Sequence, residues 1–311
     1  MRQLRRLAAG VVLVVALAGC AADPGAAPHP APRTAPSRPA ASGRPPASDS
    51  KTPAPTTTAS VPTRARSSRR PVVPRARLDT WQVGAHPLPL RPDGFGRILR
   101  TPKQLRVRRM PTRDLLPPPR QGRFTAGIGR VTPRIRHRMG QTWSPRCPVP
   151  LRRLRYVWVG FRGFDGRPHT GELVVNVRVA RDVVSVFRRL YAAGYPIEQM
   201  RLPSTGALRA RPTGDGNNTA ATVCRATRTS TNWSAHAYGL AIDVNPFLNP
   251  YHKGGLVLPE LASAYLDRSW HRPGMIRRGD VVTRAFASIG WTWGGSYASL
   301  KDLMHFSANG R

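Results

Sequence analysis

Ser234-Ala235-His236-Ala237-Tyr238-Gly239-Leu240-Ala241-Ile242-Asp243 sets a histidine and an aspartate seven residues apart, split by a glycine. Seven residues is nearly two turns of helix, which would put both side chains on one face. Gly239, the β-branched Ile242 and Val244, and Pro246 oppose a helix there. The stretch therefore predicts a loop carrying His236 and a short buried strand over 240–244 carrying Asp243. About sixty residues later stands Asp302-Leu303-Met304-His305. Its i, i+3 spacing makes Asp302 and His305 neighbours if 299–306 forms a helical turn. Two histidines and one carboxylate are a recurring ligand set for catalytic zinc, with the fourth position left to water. His236, Asp243 and His305 are thus the expected ligands of one Zn2+. Asp302, three residues from a ligand, is placed to act as the base of a metal-assisted peptide hydrolysis.

Around this pattern, residues 143–311 read as one zinc peptidase domain of about 170 residues, an ordinary size for a single core. Leu154-Arg155-Tyr156-Val157-Trp158-Val159 alternates as a strand, Gly163-Phe164-Asp165-Gly166 marks a turn, and 171–177 is β-rich. Between Ala180 and Ala193, apolar residues at 183, 184, 186, 187, 190 and 191 form a helical stripe that Gly194 closes. A short strand is expected over 195–202 and a long polar loop of the functional kind over 203–232. A helix over 281–289 ends at Gly290, and Trp291-Thr292-Trp293 is a last strand. Strands and helices without a regular βαβ repeat predict an α+β fold, a small mixed or antiparallel sheet with flanking helices.

The N-terminal part predicts where the chain works. Arg2, Arg5 and Arg6 precede an apolar run over 7–17 that is short for a membrane span. Residues 1–19 are the expected secretory signal peptide. Leu17-Ala18-Gly19-Cys20 resembles a bacterial lipobox, which implies that Cys20 becomes the lipidated first residue; an ordinary signal peptide beside an incidental cysteine is the alternative. Residues 20–76 are Pro, Ala, Ser, Thr and Arg with almost no large apolar groups. Such a composition cannot offset its ordering entropy and predicts a disordered tether. Stretched at about 3 Å per residue, it would span some 150 Å. Residues 77–142 hold scattered anchors such as Trp81, Leu88, Leu99 and Leu115 among prolines and arginines. They read either as a basic irregular segment that wraps or precedes the catalytic domain, or as plain disorder.

The formal charge is +35, of which 20–142 supply +19 and 143–311 supply +13. Such basicity ordinarily raises nucleic-acid binding, but an export signal argues against that partner. Anionic cell-wall polymers or lipid head groups fit better, with the arginine bias of a GC-rich genome as the plain alternative.

Ser-x-His-x-x-Gly-x-Ala-x-Asp followed by acid-x-x-His resembles the VanY-like D-alanyl-D-alanine carboxypeptidases. These zinc metallopeptidases share a fold with Hedgehog signalling domains and cleave peptidoglycan peptides. Cys147-Pro148-Val149-Pro150, Tyr195-Pro196-Ile197, Trp233-Ser234, Asp243-Val244-Asn245-Pro246, Asn249-Pro250-Tyr251, Trp293-Gly294-Gly295 and His305-Phe306 carry the resemblance over about 143–306. It implies zinc on His236, Asp243 and His305, with Asp302 at the general-base position. Many carboxypeptidases of the family have glutamate there; aspartate resembles the L-alanyl-D-glutamate endopeptidase branch, which leaves the cleaved bond open. The resemblance also implies that Ser234 faces substrate and that an arginine of the preceding loop binds the substrate carboxylate or the oxyanion. Arg225 is the first choice and Arg201 the second. Residues 217–223 depart from the pattern expected of that loop. The implied partners are peptidoglycan peptides, and the implied location is the outer face of the cell membrane, anchored by lipid and reaching into the wall. A non-catalytic zinc-binding wall module is the alternative, since the fold also hosts signalling domains; an intact Asp302 argues against it.

With Cys20 set aside for lipid, Cys147 and Cys224 are an even pair in an oxidising compartment and predict a disulfide. Two buried free thiols are the alternative. His252 and His271 are expected to be solvated, and His169 heads a strand with no evident partner.

Overall fold

The computed structural model describes residues 78–227 and 231–310. The expected signal peptide, Cys20 and the tether lie outside the described residues. In chain order the elements are β1 (Ala126–Arg130), α1 (Pro133–Met139), β2 (Leu154–Arg162), β3 (Pro168–Asn176), α2 (Ala180–Ala192), β4 (Gln199–Met200), α3 (Thr205–Arg209) and β5 (Asn218–Thr219). They continue as β6 (Ala241–Asp243), β7 (Tyr251–Lys253), β8 (Leu256–Leu258), α4 (Val281–Ala287), β9 (Thr292–Trp293), β10 (Lys301–Asp302) and β11 (His305–Ser307). The fold is α+β. Three small antiparallel sheets run in the orders β1-β2-β3, β10-β7-β8 and β6-β11-β9, and β4 pairs parallel with β5.

The longest ladder joins β2 to β3 over nine residues, from Leu154↔Asn176 to Arg162↔Pro168. Its turn follows from sequence: Gly166 takes φ +73°, and Asp165 Oδ1 accepts from the Arg167 amide at 2.9 Å. The alternation puts Val157, Val159 and Phe161 with Leu173 and Val175 on the inner face. There they meet Val183, Val186, Phe187 and Leu190, the apolar stripe of α2. The second helix of this core, α4, starts at Asp280, whose side chain accepts from the Thr283 amide at 2.8 Å. Phe286 of α4 stacks on Phe306 of β11 at 4.0 Å, and both are fully buried. Each such side chain stabilises the fold by about 1.5–3 kcal/mol. That contact seats β11, the strand that begins with His305.

Residues 78–142 are built into the fold. Leu88 and Leu105 join Phe247, Leu248 and Tyr265 in a second core. Trp81 donates from Nε1 to Asp215 at 2.8 Å. Arg108, 2% exposed, meets Glu198 through Nε at 2.7 Å and Nη2 at 2.6 Å, with its guanidinium 4.5 Å from the Phe247 ring. The segment also contributes β1 and α1, where an irregular path was expected. The glycines at 127 and 129 hide the strand from a β-propensity reading.

Cys147 and Cys224 form a disulfide, with Cα atoms 5.9 Å apart. It ties the loop before β2 to the loop that leads to His236, beside a hydrogen bond from the Cys224 amide to the Thr142 carbonyl at 2.9 Å.

One local expectation is corrected. Residues 299–306 form no helical turn: Asp302 ends β10, His305 begins β11, and Leu303-Met304 turn between them. Pairing with other parts of the chain overrides the local spacing. Asp302 lies opposite Tyr251 of β7, whereas His305 lies opposite Asp243 of β6. The long loop over 203–232 is also less irregular than expected, since it carries α3, capped by Ser204, and β5.

Candidate metal centre

The register of β6 and β11 sets Asp243 directly across from His305. Directly opposed residues of an antiparallel pair share a face, so the two side chains meet. His236 arrives on a 3-10 turn, Ala235–Tyr238, which leads into β6. Ser234 caps that turn, its Oγ accepting from the His236 amide at 3.4 Å. Gly239 ends it at φ +66°, and a Cβ there would fall 2.7 Å from the Asn176 amide nitrogen, so only glycine fits. The loop-then-strand expectation for 234–244 matches this path.

Three ligand-type atoms converge. Asp243 Oδ1 lies 3.3 Å from His236 Nε2 and 3.1 Å from His305 Nδ1, and the two ring nitrogens are 3.2 Å apart. His236 Nδ1 lies 2.6 Å from the Ala221 carbonyl oxygen. A carbonyl only accepts, so Nδ1 carries the proton and the Nε2 lone pair faces the cluster. Burial works to raise the Asp243 pKa; the His236 and His305 rings outweigh it and hold the carboxyl well below the usual carboxylate range. One carboxylate and two imidazole nitrogens, all within 4.8 Å of one another, form a group able to hold a metal ion.

Asp302 stands beside this group. Its Oδ1 is buried without a hydrogen-bond partner. Its pKa is pushed up to about 6, first by burial and next by the charge of Asp243, with His305, His236 and Arg225 pulling the other way. A half-buried carboxylate with one oxygen enclosed and unpaired, beside a metal-type donor set, suits a site that handles a proton. Gly294 admits it: a Cβ there would meet the Asp302 carbonyl oxygen at 2.5 Å. Trp293 Nε1 donates to the Leu303 carbonyl at 2.9 Å and steadies the turn between Asp302 and His305.

The remaining expected residues divide. Arg225 is exposed, and its carbonyl accepts from the Ser234 amide at 3.1 Å. The Ala226↔Trp233 bridge doubles the chain back there, so Arg225 sits at the foot of the His236 turn. Ser234 is buried as the cap of that turn. Arg201 follows β4 and lines a small cavity with Glu172, Ala221 and Thr222, one residue layer from His236. His169, left without a partner by sequence, is buried with Nδ1 2.8 Å from Asp114 and Nε2 3.1 Å from Asp165. Sequence reasoning missed the Ala221 carbonyl, a backbone group that no residue type announces. It also missed Tyr297 and Ser307, whose hydroxyls face each other near Asp302 and Asp243.

Residues 227–308 match the family model described as D-alanyl-D-alanine carboxypeptidase. Over this segment the chain is similar to that family. No curated protein and no solved structure matches the chain. The carboxypeptidase-family segment contains His236, Asp243, Asp302 and His305, so the metal group and the carboxylate beside it fall within one matched unit. The β1-β2-β3 sheet, α2 and both cysteines precede it and supply the frame on which it is mounted. Over that segment the chain is similar to a peptidase family, and the segment holds a His-Asp-His group that could bind a metal.

Proposed function

We propose that the protein is a zinc-dependent peptidase that hydrolyses stem-peptide bonds of peptidoglycan. The observation that carries this reading is the convergence of His236 Nε2, Asp243 Oδ1 and His305 Nδ1 beside the unsatisfied carboxylate of Asp302. Two nitrogens and one carboxylate oxygen suit Zn2+, and three protein donors leave room for a further ligand. When bound, the metal supplies Lewis acidity, acidifying a water and polarising a carbonyl.

The chain's own residues do the rest. The Ala221 carbonyl holds His236 in the tautomer that directs Nε2 inward. Asp302 takes the proton of the attacking water and returns it to the leaving amine. A carboxylate with a pKa near 6 is ionised at neutral pH yet basic enough to accept a proton. Arg225, exposed beside Ser234, supplies positive charge for a substrate carboxylate or a developing oxyanion. A non-catalytic zinc module would have no use for an Asp302 whose Oδ1 is enclosed without a partner and whose ionised form destabilises the fold.

The protein acts outside the cytoplasm, exported by residues 1–19 and anchored through lipid on Cys20, with anionic wall polymers or lipid head groups drawn to its arginines. The Cys147–Cys224 disulfide supports an oxidising compartment. Mass analysis of products from defined stem peptides tests the reading. Release of the terminal D-alanine marks a carboxypeptidase, and a cut between L-alanine and D-glutamate marks an endopeptidase. Intact peptides after incubation with the zinc-loaded protein would count against both.

A further inference from the structure

The outer face of the β1-β2-β3 sheet carries a surface that the metal centre does not use. Trp158, midway along β2, stands opposite Gly127 of β1, and Tyr156 stands opposite Gly129. A Cβ at Gly127 would fall 1.8 Å from Trp158 Cζ2 and 2.3 Å from Cε2. The indole thus lies on the β1 backbone, in space that any other residue at 127 would fill. Gly129 lies at the far edge of the same indole, where a Cβ would meet Trp158 Cζ3 at 3.8 Å. The Tyr156 and Trp158 ring centroids are 5.9 Å apart with planes tilted by 33°. Tyr156 is fixed from the side: its hydroxyl donates to Glu172 Oε2 at 2.7 Å, and buried Glu172 is paired with Arg138. Trp158 remains 36% exposed. A groove of about 440 Å³ passes both rings, walled by Pro117, Thr125 and Thr170, with exposed Arg120 at its rim.

We propose that this groove binds a polysaccharide, the glycan strand to which the wall's stem peptides are attached; the choice of glycan rests on the proposed function. A pyranose presents an apolar C–H face and a polar edge. The groove offers the matching pair, an immobilised aromatic surface and a rim of hydroxyl and guanidinium groups. Thr170 Oγ1 already donates to the Pro117 carbonyl at 2.7 Å, so the exposed Thr125 hydroxyl and Arg120 guanidinium are the rim groups that meet a ligand's hydroxyls. The groove is linked to the candidate metal centre through side chains that packing holds in common. Glu172, which holds Tyr156, lines the small cavity that reaches Ala221, and the Ala221 carbonyl orients His236.

The test measures binding of peptide-free glycan strands to the full chain, followed by tryptophan fluorescence and co-sedimentation. Chelator is present so that no turnover enters. Wild type should bind. Trp158→Ala should weaken binding by about tenfold or more, and Trp158→Phe, which keeps a ring, by about threefold or less. In turnover assays, Trp158→Ala should raise KM for glycan-linked peptides and leave free stem peptides unchanged. If Trp158→Ala fails to fold, Thr125→Trp fills the groove from an exposed position and should abolish binding. Absence of binding by wild type, or equal binding by wild type and the blocked variant, would overturn the proposal. So would a wild-type dimer that Trp158→Ala dissolves, which would assign the face to a second copy of the chain. Because binding is read without metal, failure here and failure of the peptidase reading remain distinguishable.

Discussion

The backbone carbonyl of Ala221 stands 2.6 Å from Nδ1 of His236. A group with no side-chain chemistry thereby decides which imidazole nitrogen faces Asp243 and His305. Ala221 is placed by its neighbours: the Thr222 hydroxyl donates to the Val174 carbonyl of β3 at 2.5 Å, and the Ala220 and Asp243 backbones bridge. The matched family segment depends in this way on a sheet that lies outside it.

Removing one of the three donors should disable metal binding without unfolding the chain. Loss of an outer partner of a metal ligand commonly costs 10–100-fold in affinity. His236→Ala, which removes a donor atom outright, should cost more than about 100-fold. Titration of the purified variant with Zn2+, read by calorimetry, checks this; wild-type affinity would mean that the ligands lie elsewhere.

Asp302 gives a prediction in stability. Its pKa in the folded, metal-free protein is about 6, above the ordinary 3.8. The folded state therefore holds this proton more tightly than the unfolded state does. Stability falls as pH rises from about 4 to 6, and stays lower above that window. Asp302→Asn removes the ionisation, so the metal-free variant should exceed wild type by up to about 3 kcal/mol at pH 7. The gain should vanish as pH falls towards 4. Urea denaturation across that range measures it, and a variant less stable than wild type at pH 7 would show that the ionised carboxylate is satisfied.

How much of this was legible in the sequence depends on range. The β2–β3 hairpin, α2 and α4 announce themselves through alternation, a 3.6-residue stripe and glycine stops, all local signals. The His236 loop and the Asp243 strand were readable because Gly239, Ile242 and Pro246 oppose a helix. The path from Asp302 to His305 was not, because β10 and β11 are defined by partners about fifty and sixty residues away. The strand β1 was hidden by the glycines at 127 and 129; the Trp158 ring on the neighbouring strand is the reason for the first of them. No local signal sets Arg108 apart from the other arginines of its segment; its burial follows from its distant partners Glu198 and Phe247.

That pair is directly testable. Arg108→Met leaves Glu198 buried without its bidentate partner, and breaking a buried pair in this way costs about 3–5 kcal/mol. The double change Arg108→Met with Glu198→Leu should recover a large part of the loss, since both charges are then gone. Thermal unfolding of the two variants and wild type gives the comparison; equal losses in the single and double variants would contradict it.

Reduction of Cys147–Cys224 should lower stability by roughly 4 kcal/mol, from the entropy of a chain opened over a sequence separation of 77. The three metal donors are set by β6, β11 and the Ser234-capped turn, so the reduced protein should still bind Zn2+ under mild conditions. Calorimetry with and without reductant checks both parts.

The central claim is that a metal held by His236, Asp243 and His305 and a base at Asp302 together hydrolyse cell-wall peptides. The most direct measurement is digestion of purified muropeptides by the zinc-loaded protein, by the chelated protein before and after Zn2+ is restored, and by Asp302→Asn. The account predicts cleavage that disappears on chelation and returns with Zn2+. It also predicts that Asp302→Asn retains zinc and loses about 10²–10⁴ in kcat. Cleavage that persists in verified metal-free protein, or an unchanged rate in Asp302→Asn, would contradict it.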